Sequence, residues 1–417
     1  MSVDSGVDRG RVVMDQVSLG VLVEAVPRFK VDQALNDEKI RALRSDGKLP
    51  PHVTAYLTMA MALFAQDAAE EVATRVTGSL DAFGVWDASW GVPTSSGITQ
   101  ARKRLGRDVL RRVFGYCAEP VAVQDETRGA FACGLRVMAI DGFAMDVPDT
   151  PGNAAEFGYS TTGGNPSAFP KVRVVGITEC ASHCFVDARI GPYTTGEQSL
   201  AAPLLARLDR SWLLTADRGF YSFPAFSDAA ETGAGLLWRV KADLRLPPLR
   251  VLEDGTYVSV VIDREIRGAR REAIVRAAEA GEELDPHQAR RVRVLQYDVP
   301  DRAGPAGTEL ICLITNLLDP QSAPAETLAY CYHQRWEQES AHDQLETDLR
   351  GSGRVLRSKL PDLVYQEVWA YLLVHYAINA LICRAATGAD IDPDRVSFVK
   401  AVRIARRTAT GTARFSP

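Results

Sequence analysis

Two short runs of apolar and β-branched residues, LRVMAIDG (135–142) and SWLLTADRGF (211–220), each carry an aspartate at the end of the run, and the helix-like segment EQSLAAPLLARL (197–208) lies between them. Strand-length and helix-length apolar patterns in alternation force a sheet covered by helices, because neither element buries its apolar side alone. PKVRVVGITEC and HCFVDARIG read as alternating strands, and GAGLLWRVKADLRL as one more. Asp-Gly at 141–142 reads as a turn that ends its strand, and 152–168 as a polar, Gly-rich loop. From 246 to 309 the pattern changes. VLEDGTYVSVVI resembles a hairpin pair, RRVRVLQYDV and ELICLITNLL are further strands, and arginines crowd between them. The expected class is α/β with an all-β insertion.

Helices flank this sheet. In residues 1–130, VDQALNDEKIRALRSDG and VTAYLTMAMALFAQDAAEEVATRVTG place apolar residues at helical spacing, with a break at Pro50 and Pro51. Thr94, Ser95 and Ser96 are cap candidates for a basic amphipathic helix, ITQARKRLGRDVLRRVFGYC. The most apolar stretch, 363–383, is interrupted by Glu367, His375 and Asn379, and is expected to be a buried core helix rather than a membrane span. The first residues carry acids and no apolar segment of the signal-peptide kind. Seven cysteines are scattered, and Cys180 and Cys184 around His183 lack partners at zinc-ligand spacing. Reduced thiols in a cytoplasmic protein are expected, with His183 structural.

The net charge of −5 argues mildly against nucleic acid, but its distribution matters more. ARKRLGRDVLRR (101–112) holds six basic residues against one acid, and the segment from Ile391 holds six against two. An acidic chain with local basic faces still binds phosphate backbones.

The acids carry the chemistry. Asp141 and Asp217 stand at apolar runs, where α/β sheets place functional groups. A third, Glu339, follows Arg335 by one turn in YCYHQRWEQESAHDQLETDLR (330–350). Taken singly, such an Asp is ordinarily a turn residue or helix cap, and such a Glu a surface partner of its arginine. Three carboxylates meeting at one point are tolerated only if cations neutralise them, and Mg²⁺ suits hard oxygen ligands. Two ions about 3.5–4 Å apart assist phosphodiester displacement.

With Tyr332, Arg335 and Glu339 in Tyr-x2-Arg-x3-Glu spacing, Asp141 in an AIDG block and Asp217 in DRGF, the chain resembles the DDE transposases of bacterial insertion sequences. The group in question bears a Tyr-x2-Arg-x3-Glu-x6-Lys signature, and the match runs from about Leu135 to Leu381. The resemblance implies a ribonuclease H-like catalytic domain with a β-rich insertion and a helical N-terminal domain. It implies Asp141, Asp217 and Glu339 as catalytic, Mg²⁺-binding residues, with Mn²⁺ as a substitute ion. It implies cleavage of transposon ends and strand transfer. The partner is double-stranded DNA, as terminal inverted repeats and target, with a homodimer on paired ends and no membrane. Tyr332 and Arg335 would contact phosphates. One position departs: Glu346 stands where the family has lysine, with Arg350 one turn on to supply the missing charge. That departure leaves open a truncated or impaired transposase-derived DNA-binding protein. Further DNA candidates are Arg102, Lys103, Arg104 and Arg107, with Arg111 and Arg112; Arg239 and Lys241; and the arginines at 264, 267, 270, 271, 290, 291 and 293. Trp336 reads as a packing residue. The expected organisation is 1–130 DNA-binding helices, 131–245 and 310–390 the catalytic core, 246–309 the insertion, and 391–417 a basic tail.

Overall fold

A computed structural model of the chain describes residues 21–42, 49–81, 91–162, 164–300 and 308–409. The first twenty residues, the end of the RALRSDG segment, position 163 of the Gly-rich loop and Arg414 of the tail lie outside them.

The sheet begins with the small strand β1 (Phe131–Ala132) and β2 (Leu135–Asp146), then β3 (Tyr159–Thr162), β4 (Asn165–Glu179) and β5 (Phe185–Pro192). Helix α8 (Glu197–Leu205) leads to β6 (Trp212–Ala216), and α9 (Phe223–Glu231) to β7 (Gly235–Arg239). Strands β2, β4 and β5 are antiparallel neighbours, whereas β6 lies parallel to β2, and β7 parallel to β6. This mixed sheet, an antiparallel meander followed by two helical crossovers, fits the ribonuclease H-like core.

The β-strand period of two assigns the faces. Met138, Ile140, Leu214, Ala216, Leu236 and Trp238 pack under α8 and α9 with Leu204 and Phe226. Val137, Ala139, Leu213 and Leu237 pack on the other face, against Leu328, Cys331 and Tyr332 of a late helix, α11 (Ala325–His333).

The insertion departs from the all-β expectation. Strands β8 (Arg250–Val251) and β9 (Tyr257–Ile262) are followed by a helix, α10 (Gly268–Glu279), before β10 (Ala289–Pro300) and β11 (Thr308–Thr315). Ile274, Val275 and Ala278 of α10 pack against Val260 and Ile262. Arginine density hides this apolar set in the sequence. The strands also extend the main sheet, in the order β7-β11-β10-β9-β8, so that β11 crosses the expected boundary at 309.

Other elements differ locally. Asp-Gly at 141–142 makes no turn, since β2 runs on to Asp146, and the expected 152–168 loop contains α7 (Pro151–Phe157), β3 and the start of β4. The basic N-terminal segment is two helices, α5 (Ser95–Leu105) and α6 (Val109–Cys117), parted at Gly106 with φ of 79°. Thr94 caps α5 by accepting from the Gly97 N–H. With α1 (Val21–Ala25), α2 (Arg28–Asp37), α3 (Pro51–Leu63) and α4 (Ala69–Asp81), they join one apolar core around α13 (Pro361–Gly388). Helix α13 is long and apolar enough to cross a membrane, yet it is buried inside the protein. The described part of the basic tail folds too. Helix α14 (Phe398–Ala409) buries Phe398, Val402 and Ala405, and Arg406 donates to the Leu63 carbonyl at 2.8 Å.

Candidate active site

Pairing of β2 with β6 ends at Ile140 opposite Ala216. The next residue on each strand is an acid, Asp141 and Asp217, at the carboxyl end of β6 where the two chains part. Asp141 continues the Val137–Ala139 face, and Asp217 continues Leu213 and Thr215, so both belong to the side covered by α11. Gly142 serves Asp141 directly: its N–H donates to Asp141 Oδ1 at 2.8 Å. A Cβ at Gly142 would sit 3.2 Å from the Glu197 side chain, a tight approach.

After α11 the chain turns at Gln334 and Arg335 into α12 (Trp336–Asp343), which carries Glu339. The Arg335 guanidinium is buried between the acids, 3.6 Å from Asp141 and 3.3 Å from Glu339. Its charge is held up, against burial, by Tyr332, Asp141, Asp217 and Glu339. Burial pushes the Asp141 carboxyl up to about 6; Glu197 and Asp217 push the same way, against Gly142 and Arg335. The site therefore holds more negative charge than Arg335 neutralises. Among the described residues, no three His, Cys, Asp or Glu side chains are close enough together to hold an ion. The donor chemistry fits a hard dication: the carboxylates supply oxygen, and Asp141 lacks a full counter-charge.

Neutral buried groups fix α12. His342 lies between Phe143 and Phe185, with ring centroids at 4.6 and 5.9 Å, and burial lowers its pKa to about 4. Gln344 opens a π-helical turn, Gln344–Leu349. Its amide meets His183 Nδ1 at 2.8 Å, and its carbonyl oxygen accepts from Asn379 at 2.9 Å and lies 3.2 Å from His375 Nε2. His375 is neutral, lowered to about 3 first by burial. His183, with a left-handed φ of 58°, is thus tied to the turn that follows α12. Nothing in the sequence pattern marks Gln344, whose partners come from 161, 31 and 35 residues away.

The expected DNA contacts divide by burial. Arg102 is buried and donates to Gln366, Ser358 and the Leu363 carbonyl, so it braces α5 on α13 instead of meeting DNA. Tyr332 is buried in the face that covers β2, and its ring supports Arg335 from 5.9 Å. Arg335 is spent on the acids. Arg350 is buried, donates to the Arg354 carbonyl and pairs with Glu346 at 3.6 Å, so it presents no charge outward. Arg239 pairs with Glu309 on the site face. Arg107 lies over the Tyr365 ring at 3.5 Å, 3.7 Å from Glu156. Lys103, Arg104 and Lys241 are exposed. In the insertion, Arg290 pairs with Glu231, Arg291 donates to backbone carbonyls, and the fully buried Arg293 pairs with Asp254. The Trp336 side chain lies outside the described residues.

A family model described as "Transposase DDE domain" matches residues 132–376, and one described as "Insertion element 4 transposase N-terminal" matches 16–115. The chain belongs to the DDE transposase family. It is 28% identical over 346 residues to the transposase InsG for insertion sequence element IS4 of Escherichia coli (strain K12), covering 81% of this chain and 71% of that one. A solved piggyBac transposase synaptic complex with hairpin DNA superposes with a TM-score of 0.44 at 10% identity, over 96% of this chain and 80% of that one. This transposase is therefore a DNA-cutting and strand-transfer enzyme of an insertion sequence, from a family that generally uses divalent metal ions. Glu346 faces buried Arg350 at 3.6 Å, an internal pair on the π-helical turn.

Proposed function

We propose that Asp141, Asp217 and Glu339 are the catalytic carboxylates of this transposase and hold Mg²⁺, with Mn²⁺ as a substitute. The observation that carries this reading is the one buried guanidinium of Arg335, bridging Asp141 and Glu339 within the field of Asp217. Acids 198 residues apart, from Asp141 to Glu339, thereby share a single counter-ion on one face of the sheet. When bound, the ions supply charge neutralisation at the scissile phosphate and a water of lowered pKa. The protein's own part is positional. Gly142 holds Asp141, Arg335 and the His342–Gln344 packing would hold Glu339, and Asp217, at the end of β6, would complete the set. Water attacks the phosphorus at the transposon end, leaving a 3′-hydroxyl and a 5′-phosphate, and its proton passes to solvent. That hydroxyl then attacks a target phosphorus and displaces the target's 3′-oxygen, so no covalent protein–DNA intermediate arises. Joining two ends in one event calls for two copies of the chain.

The test is purified protein on its own terminal inverted repeats with Mg²⁺. Asp217→Asn and Glu339→Gln should each abolish nicking while DNA binding stays within a few-fold of wild type. Retained cutting by either variant would remove that residue from the triad.

A further inference from the structure

Immediately after Asp217, Arg218 begins the lining of a groove of about 620 Å³. Arg218 comes from the turn after β6, Lys241 and Arg245 from the segment after β7, Arg264 and Arg267 from the approach to α10, and Arg271 from α10 itself. Chain segments more than forty residues apart thus deliver their cations to one place. One acid, Asp243, shares the lining. Among the described residues, only Arg264 of the six has an acidic partner within 4 Å, Glu265 at 3.4 Å, and both those side chains are highly exposed. Arg290, Arg291 and Arg293 are held by acids or carbonyls across the fold, whereas within the groove the only such ties among the described residues are local, Arg264 to Glu265 and Arg267 to the Arg264 carbonyl at 3.4 Å, both between exposed residues of one short segment.

Six cations around one acid repel one another, in a chain whose net charge is −5. Such a concentration of unneutralised charge favours a polyanion. Ile262 and Ile266 add apolar lining beneath the charges, suited to sugar faces between phosphates. The volume is too small to swallow a duplex, whose major groove alone is about 12 Å wide, and suits one sugar-phosphate strand. We propose that this groove binds one backbone strand of duplex DNA through its phosphates, alongside the candidate active site. The proposal rests on the chain acting on DNA, and not on the roles given to the three carboxylates.

The test is binding of the full chain to a labelled duplex of about 30 base pairs, in EDTA to suppress cutting, by fluorescence anisotropy across salt concentrations. Each phosphate contact contributes about 0.9 to the slope of log K against log salt. Arg267→Ala/Arg271→Ala should lower the slope by about 1.8, and weaken binding about tenfold to thirtyfold at 0.15 M salt. Arg245→Ala/Arg264→Ala removes two exposed side chains, cannot disturb the core, and should do the same. Arg207→Ala/Arg210→Ala, at the other end of β6, is the charge-matched control and should change affinity less than twofold. Groove variants that bind within twofold of wild type at unchanged slope would overturn the proposal. So would a control that loses as much, or wild-type protein that prefers duplex RNA to duplex DNA. Failure of the carboxylate reading would appear as cutting by the triad variants, a result these binding curves do not share.

Discussion

Asp141→Asn should make the folded chain more stable while it loses cutting. The carboxyl stands at about 6 in the fold against an ordinary 3.8, chiefly through burial. A folded-state pKa raised in this way adds stability that is fully present below 3.8 and is lost as pH rises through about 6. At 1.36 kcal/mol per unit, the rise from 3.8 to about 6 amounts to about 3 kcal/mol lost at pH 8. Partial exposure of the side chain, 24%, trims this toward about 2 kcal/mol. Asparagine keeps the shape and never ionises, so the variant should exceed wild type by about 2–3 kcal/mol at pH 8, and by about half that at pH 5. Urea denaturation in EDTA at both pH values measures the gap. The second arm adds Mn²⁺. Wild type should gain about 2.7 kcal/mol at a hundred times the dissociation constant, and the variant far less. A variant no more stable than wild type at pH 8, or a gap that ignores pH, would refute the account of Asp141 as a buried acid short of counter-charge.

The remaining predictions concern the arginines and the departing glutamate. Arg102→Ala strands Gln366 and the Leu363 carbonyl and should cost about 3–5 kcal/mol by denaturation, whereas Lys103→Ala/Arg104→Ala should leave stability within about 0.5 kcal/mol. If Arg102→Ala were as stable as that pair, its bracing role would be wrong. Glu346→Lys should lower stability by about 1–3 kcal/mol rather than raise cleavage, because it sets a second cation against buried Arg350. Faster cutting with unchanged melting would show that the internal bridge is immaterial and an outward cation the missing element.

Much of this was legible once helical and strand periods were applied to side chains usually read as functional. In α5, Ile98, Ala101 and Leu105 form the apolar stripe, and Arg102 falls within it, one position after Ala101. Its burial was thus written in the spacing, although its charge invited a surface reading. The same holds at 328, 331, 332 and 335, which step along one helical side toward the sheet: Tyr332 is packed because Leu328 and Cys331 are. Continuing that step reaches Glu339, so the Arg335–Glu339 pair was readable as a pair, but not as one shared with Asp141. That third contact depends on how α12 packs on β2, across 194 residues of sequence from Asp141 to Arg335, which no local period reports. Charge misled in the opposite sense at 264–276, where arginines masked the Ile274, Val275 and Ala278 set that seats α10. The π-helical turn at Gln344 lay beyond reach for the same reason as the packing of α12 on β2: His183, His375 and Asn379 are brought to it only by the finished core. Residues that carry charge inward were therefore the ones most readily misplaced, since burying a cation is costly unless distant acids or carbonyls receive it, and those partners are a property of the fold. Arg335 stands at the meeting of both effects. A local stripe aims it at the sheet, and β2 and the end of β6, from far along the chain, give it the acids that, with Glu339, make its burial tolerable.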